Sequence, residues 1–418
     1  MTKFCHTIAG MARLTKTPGM KRSAFCLVFI CALLCRQPVF AQPGAAERPS
    51  RHITSFPFIQ LTGGIIIVQA QLENYADTLN FILDTGSSGI SLDSGTVAYL
   101  KIRPTPTDKT IRGIAGIRNV SFVYNRSLLF PGLKIDSLNF HVNDYSVLTS
   151  VYGERIDGII GYSVFNRYII KLDYDSSRVS FSTRGTIRYP KSGYLLKPHI
   201  AQLPTQTLRV RDARSIETRF LYDLGAGLCI LFSKEFMKDS MLLDKKRKRW
   251  HKQGEGLGGK IDMELTVIKE IKVGPYRFRN VPSFIFDDPY NVTGYPSMGG
   301  LLGNDVMRRF NVIFNYAKSE IFITPNKHFT ELFDYSYTGL EMYLIHDQIL
   351  VGDVSPNSPA LAAGLQKGDE IVAINKVFGQ SLNQYKIALQ TPNEKVKIIV
   401  RRNGVLLELE LRVKSILH

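Results

Sequence analysis

Short runs of Val, Ile, Phe, Leu and Tyr, each broken within a few positions by Gly, Asn, Asp or Pro, make up most of the chain from about residue 52 onward. Ile65–Val68, Tyr168–Tyr174 and Val312–Tyr316 are typical. β-branched and aromatic residues in runs of this length, bounded by turn formers, predict strands and a mainly β fold. Helical periodicity is scarce. Its clearest instance follows Ser233, a natural N-cap, and is expected to run on into the basic stretch Lys245–Lys252.

The chain also repeats itself. Phe81–Leu92 reads FILDTGSSGISL and Phe220–Leu231 reads FLYDLGAGLCIL, with Asp84 and Asp223 separated by 139 positions. Gly158-Ile159-Ile160-Gly161 and Gly300-Leu301-Leu302-Gly303 are 142 apart, and that offset also pairs Val164 with Val306, Arg167 with Arg309 and Tyr174 with Tyr316. Two nearly equal spacings imply an internal duplication, hence two pseudo-symmetric β-barrel lobes, 52–190 and 191–330. From Tyr337 the texture changes: Ser355-Pro356 and Ser358-Pro359 lead through Ala363-Gly364-Leu365 to Gly368-Asp369 and Ile371–Asn375. This order resembles the PDZ signature, and 337–418 suits one PDZ domain in length.

The apolar stretch Ser23–Leu34 follows Lys21-Arg22 and is short for a bilayer span, with small residues near Ala41. Residues 1–41 therefore read as a signal peptide, with 1–19 a possible upstream extension, and the chain is expected to be periplasmic or extracellular. Lipid attachment at Cys35 is the alternative, although Leu34 is larger than such a site wants. Four of the five cysteines precede the expected cut, so Cys229 stands alone in the remainder and disulfides do not hold this fold. The net charge of +17 falls with the leader, which carries Lys3, Arg13, Lys16, Lys21, Arg22 and Arg36 and no acid. Lys245–Lys252 is expected to be a solvated helix end, with contact to an anionic membrane surface as the alternative. No nucleic-acid module or aromatic interleaving accompanies it. The histidines lack metal-ligand spacing, no Walker loop or nucleophilic serine elbow occurs, and no metal or cofactor is expected.

Each Asp-X-Gly lies behind an apolar strand and before small residues. A single copy is ordinary turn chemistry, whereas two copies can supply two carboxylates that share one proton and polarise one water. The stretch 52–328 resembles the aspartic peptidases of the pepsin and retroviral type. That resemblance implies catalytic Asp84 and Asp223 on active-site loops that include Thr85, Gly86, Ser87, Leu224, Gly225 and Ala226. It implies that Ile159-Ile160-Gly161 and Leu301-Leu302-Gly303 brace those loops from behind. Gly113 and Gly116, with Gly256 and Gly259, become candidates for flaps over the cleft, plain hairpin turns being the other reading. One departure stands out: Leu224 occupies a position where the family has threonine, so Thr85 lacks its symmetric counterpart. In the PDZ segment, Gly339-Leu340-Glu341-Met342 resembles the loop that holds a peptide's terminal carboxylate. The expected function is endopeptidase hydrolysis of protein or peptide substrates, with a PDZ peptide ligand. The rivals are an exported peptide-binding protein without activity, which Leu224 favours, and an assembly module built around the PDZ domain.

Overall fold

The computed structural model describes residues 48–333 and 335–417, so the signal-peptide and lipid-attachment readings lie outside the described residues. In the first lobe, six strands close into a barrel in the order Ile66–Leu72, Thr78–Leu83, Gly158–Ile160, Ile90–Asp93, Leu133–Asn143 and Ser121–Phe130. Closure comes where Leu72 pairs with Leu128. The second lobe repeats the order with Pro204–Arg211, Ser215–Tyr222, Gly300–Leu302, Ile230–Ser233, Tyr276–Phe286 and Gly259–Val273, closed by Val210 opposite Ile271. Closing a sheet removes its unpaired edges, which suits strands this apolar.

A six-stranded sheet ties the lobes together, and nothing in the local sequence distinguishes its strands from the rest. Its order is His52–Pro57, Arg178–Ser182, Ile169–Asp173, Phe310–Asn315, Glu320–Pro325 and Tyr194–Leu196. The junction is antiparallel, with Ile170 opposite Phe314 and Leu172 opposite Val312. One apolar core runs through both lobes and beneath this sheet, where Phe165, Phe314 and Tyr316 pack ring to ring. Each buried Phe removes apolar area worth about 1.5–3 kcal/mol from water, so the two lobes do not part cheaply.

The tail forms a six-stranded sheet, with Leu340–Ile345, Gln348–Val354, Glu370–Ile374, Lys395–Arg402 and Val405–Arg412 in order and Val377–Phe378 paired to Glu370–Ile374 beside them, and helices Pro359–Ala362 and Leu382–Ala388. In Lys395–Arg402, Val396, Ile398 and Val400 face a separate core while Lys395, Lys397 and Arg401 face water, the two-residue period of a half-buried strand. A further apolar cluster joins Tyr337 and Ile416 at the two ends of the tail to Leu265 and Phe286 of the second lobe. The tail is thus docked on the barrels.

The basic stretch departs from the helical expectation. Ser233 does cap a helix, accepting the Phe236 amide at 3.1 Å, but that helix spans only Lys234–Ser240 and ends at Met241 with φ 49°. Trp250–Gly256 is a strand, paired along Gly259–Val273 from Trp250 opposite Leu265 to Gly256 opposite Gly259. Long-range partners overrule the local charge pattern. The Arg247 guanidinium grips Asp212, whose side chain is fully buried, at 2.6 and 3.0 Å, and Trp250 packs on Tyr337.

Candidate active site

Each brace strand threads between the two strands that flank an aspartate loop. Gly158–Ile160 runs parallel to Thr78–Leu83 and antiparallel to Ile90–Asp93. Gly300–Leu302 stands in the same relation to Ser215–Tyr222 and Ile230–Ser233. The brace carbonyls fix the aspartates, the Asp84 amide donating to Ile160 and the Asp223 amide to Leu302, both at 2.9 Å. Gly161 and Gly303 then donate back to Gly89 and Cys229 on the far arm of each loop. Both loops are therefore hydrogen-bonded on either side, which holds a reacting group still without relying on side-chain packing.

The loops meet face to face. The two carboxyls lie within hydrogen-bonding reach of one another, and each accepts an amide from its own loop: Gly86 to Asp84 at 2.6 Å and Gly225 to Asp223 at 2.8 Å. Glycine is required at both places. A Cβ on Gly86 would lie 2.6 Å from Asp223 Oδ2, and one on Gly225 would lie 2.5 Å from Asp84 Cγ.

Thr85 bridges the lobes with one hydroxyl. Its Oγ1 accepts the Leu224 amide at 3.0 Å and donates to the Tyr222 carbonyl at 2.6 Å. Leu224 returns no hydrogen bond; its side chain is 0% exposed and belongs to the common core.

Burial pushes both carboxyls upward. Asp223 moves well above the ordinary range because burial is joined by the charge and hydrogen bond of Asp84. For Asp84, burial is opposed by the hydrogen bond with Asp223 and by the amides of Gly86, Ser87 and Gly225. Two acids placed this closely titrate as a unit that keeps one proton where separate carboxyls would have lost both. Nearby, burial pushes the His141 imidazole down to about 4, so it stays neutral at physiological pH.

The pair lies at the floor of a cavity of about 1170 Å³. Two hairpins meet across it. The tip between Thr110–Gly113 and Gly116–Asn119 touches the tip at Leu257 and Gly258, with the Ala115 amide donating to the Leu257 carbonyl at 3.0 Å and Arg118 to the Gly258 carbonyl at 3.0 Å. Gly113 lies directly against Leu257, while Gly259 has open space around it. All four glycines singled out in the sequence thus sit in or beside these two hairpins.

The far wall of the same cavity is the tail, where Gly339, Leu340, Glu341 and Met342 all contribute to the lining. Sequence reasoning missed the charged seam there. Lys252 pairs with Glu341, the Tyr343 hydroxyl bonds to Glu255, and Lys386 of helix Leu382–Ala388 completes the group. Reading a strand from Trp250 onward, with one face toward the tail, would have singled out Lys252. Among the described residues no cluster of three or more His, Cys, Asp or Glu side chains could hold a metal ion.

Comparison with known proteins agrees with this architecture. The family model described as aspartyl protease matches twice, over residues 68–164 and 207–306, and the PDZ domain model matches residues 336–413. A curated relative, the serine endoprotease DegS of Haemophilus influenzae, is 38% identical over 69 residues, 16% of this chain. The chain spans about a fifth of that relative's length, so the likeness is local. With an aspartyl protease match on each barrel and a PDZ match on the tail, the chain carries two aspartyl-protease-like lobes followed by a PDZ domain.

Proposed function

We propose that the protein is an aspartic endopeptidase acting on protein or peptide substrates outside the cytoplasm, with Asp84 and Asp223 as its catalytic pair. The observation that carries this reading is the contact of two carboxyls from duplicated loops, each cradled by its own glycine amide at the floor of a hairpin-covered cleft. One proton is shared between the two acids. The ionised carboxylate takes a proton from a water held between them, the protonated one donates to the scissile carbonyl oxygen, and the water oxygen adds to the carbonyl carbon. Proton return to the amide nitrogen then breaks the C–N bond. Thr85 and the two brace strands act as positioning groups, and the meeting hairpins are flaps that admit an extended chain and then exclude bulk water. Export rests on the leader-like sequence alone.

Asp84→Asn and Asp223→Asn, assayed separately on a denatured protein mixture, test the reading. Each is expected to lower kcat by about 10²- to 10⁴-fold, the usual contribution of a positioned acid or base, with little change in KM. Hydrolysis that survives both changes removes the pair from the chemistry. A folded wild-type protein that binds peptides but cleaves none from acidic to neutral pH would make it a binding protein.

A further inference from the structure

On the first-lobe side the cleft is walled by the helix Ser146–Tyr152, and Tyr145, Leu148, Val151 and Tyr152 all line the cavity that holds Asp84 and Asp223. Their spacing puts them on one face of the helix. That helix is pinned from two directions. Toward the barrel, the Tyr145 amide donates to Asp93 at 2.9 Å, and the Tyr145 hydroxyl bonds to Ser91 at 2.7 Å. Toward the tail, Ser150 Oγ donates to the Leu344 carbonyl and the Lys386 ammonium to the Val151 carbonyl, both at 2.6 Å. Gly153, at φ 69°, closes the last turn by donating to the Thr149 carbonyl at 2.9 Å.

Tyr152 is the exception in this hydrogen-bonded frame. Its ring packs on the apolar cluster of Leu61, Ile65, Ile67 and Tyr145, which also receives Ile159 of the brace strand and Leu257 at the tip of the second hairpin. Tyr152 therefore stands between the floor of the cleft and its roof. Its hydroxyl has no hydrogen-bond partner among the described residues, although the charges of Glu255, Asp223 and Asp84 all act on it. Tyr222 and Tyr316 also carry unpartnered hydroxyls, but those are sealed in the core and neither residue lines the cavity. Tyr335 lines it beside Lys252 and Glu341. A partly buried donor without a partner lowers stability, and packing alone is served as well by phenylalanine. Burial first, then the three carboxylates, push the phenol pKa upward, so the hydroxyl keeps its proton wherever a carboxyl pair works. The same three groups repel an anionic acceptor. What remains is a neutral oxygen, and the one every polypeptide brings is its backbone carbonyl.

Resting on the aspartic peptidase reading, we propose that the Tyr152 hydroxyl is a substrate contact, donating a hydrogen bond to one backbone carbonyl of the chain bound across Asp84 and Asp223. The helix holds the ring in place before the substrate arrives, so the bond forms without ordering a side chain. Both hairpin tips are built of glycine and apolar residues, so this wall supplies a side-chain donor that the roof does not.

Tyr152→Phe keeps the ring and removes the donor. Fluorescence anisotropy with the full chain carrying Asp84→Asn and Asp223→Asn reads binding without turnover, using a fluorescein-labelled decapeptide taken as the tightest of a random set. A companion series replaces one peptide bond at a time by an alkene. Tyr152→Phe is expected to weaken binding of the parent peptide about 3- to 10-fold, the worth of one neutral hydrogen bond. One alkene peptide should bind equally to both chains, which identifies the carbonyl. The Tm of Tyr152→Phe should equal or exceed that of its parent, because the free protein loses no hydrogen bond. In the active chain the same change should lower kcat/KM by a similar factor, chiefly through KM. Affinities within twofold overturn the proposal, since the hydroxyl then meets only water. So does a lower Tm, a loss of equal size for every alkene peptide, or a random set in which nothing binds. A Tyr152→Phe chain as active as wild type also overturns it and leaves the aspartate pair untouched. A carbonyl-specific loss of binding with no hydrolysis by the wild-type chain sinks the catalytic reading and retains the contact.

Discussion

The two aspartate loops have the same backbone and different means of holding it. In the first lobe the anchors are polar. Thr85 reaches across to two backbone groups, and Asp157, 2% exposed and next to the brace strand, accepts the Asn80 amide at 2.9 Å and the Thr96 hydroxyl at 2.6 Å and pairs with Arg155. In the second lobe the matching positions are Leu224, packed in the core, and Gly299, whose amide donates to the Arg219 carbonyl at 2.8 Å. One lobe specifies the junction by hydrogen bonds and the other fills it with apolar volume. A pseudo-symmetric site thus does not need symmetric side chains: one hydroxyl that satisfies both a donor and an acceptor across the interface makes its counterpart dispensable.

That contrast is most easily broken at Thr85. Thr85→Val keeps the shape but orphans the Leu224 amide and the Tyr222 carbonyl, at about 1–3 kcal/mol for each buried group left unpaired. Denaturant unfolding is expected to show a loss of about 2–6 kcal/mol, with kcat down at least tenfold and Thr85→Ser close to wild type. A neutral Thr85→Val would mean that packing alone holds the junction.

Leu224→Thr is the converse change, and its effect is smaller. It removes buried apolar volume and adds a hydroxyl whose natural targets are already satisfied, so a loss of about 1–3 kcal/mol is expected with no gain in kcat. A faster enzyme would show that the missing hydroxyl limits catalysis.

The smallest effect concerns the stability of the aspartate pair itself. Asp223 has a folded-state pKa well above its unfolded value, so the native state holds a proton that the unfolded chain has lost. The stability from that proton is complete below the ordinary aspartate pKa and is lost as pH rises toward the folded value. Asp223→Asn removes this cost. Because the pair titrates as a unit, Asp84→Asn should do the same, and the Tm of each variant, measured by calorimetry at neutral pH, is expected to exceed wild type. The advantage should vanish on acidification.

The duplicated lobes, the two aspartate loops and the PDZ segment were legible because each has a local signature: a strand, a tight turn and a glycine needed for close approach. The sheet that joins the lobes was not, since Ile169–Asp173 and Phe310–Asn315 look like any other strands and their pairing spans more than a hundred residues. Nor was the fate of Lys245–Lys252. Its charges fit a helical face, and only Asp212, Glu341 and Tyr337, all distant in sequence, redirect it. The docking of the PDZ domain over the cleft escaped for the same reason.

The central claim is that two coupled acids share one catalytic proton, and the pH profile of kcat/KM for the wild-type chain on a peptide free of other ionisable groups tests it most directly. The account predicts a bell on the acid side of neutrality: activity falls at low pH as the pair gains a second proton and falls again as the shared proton leaves, above the ordinary carboxylate range. A profile that keeps rising through neutral into alkaline pH, unchanged by Asp84→Asn, would contradict it.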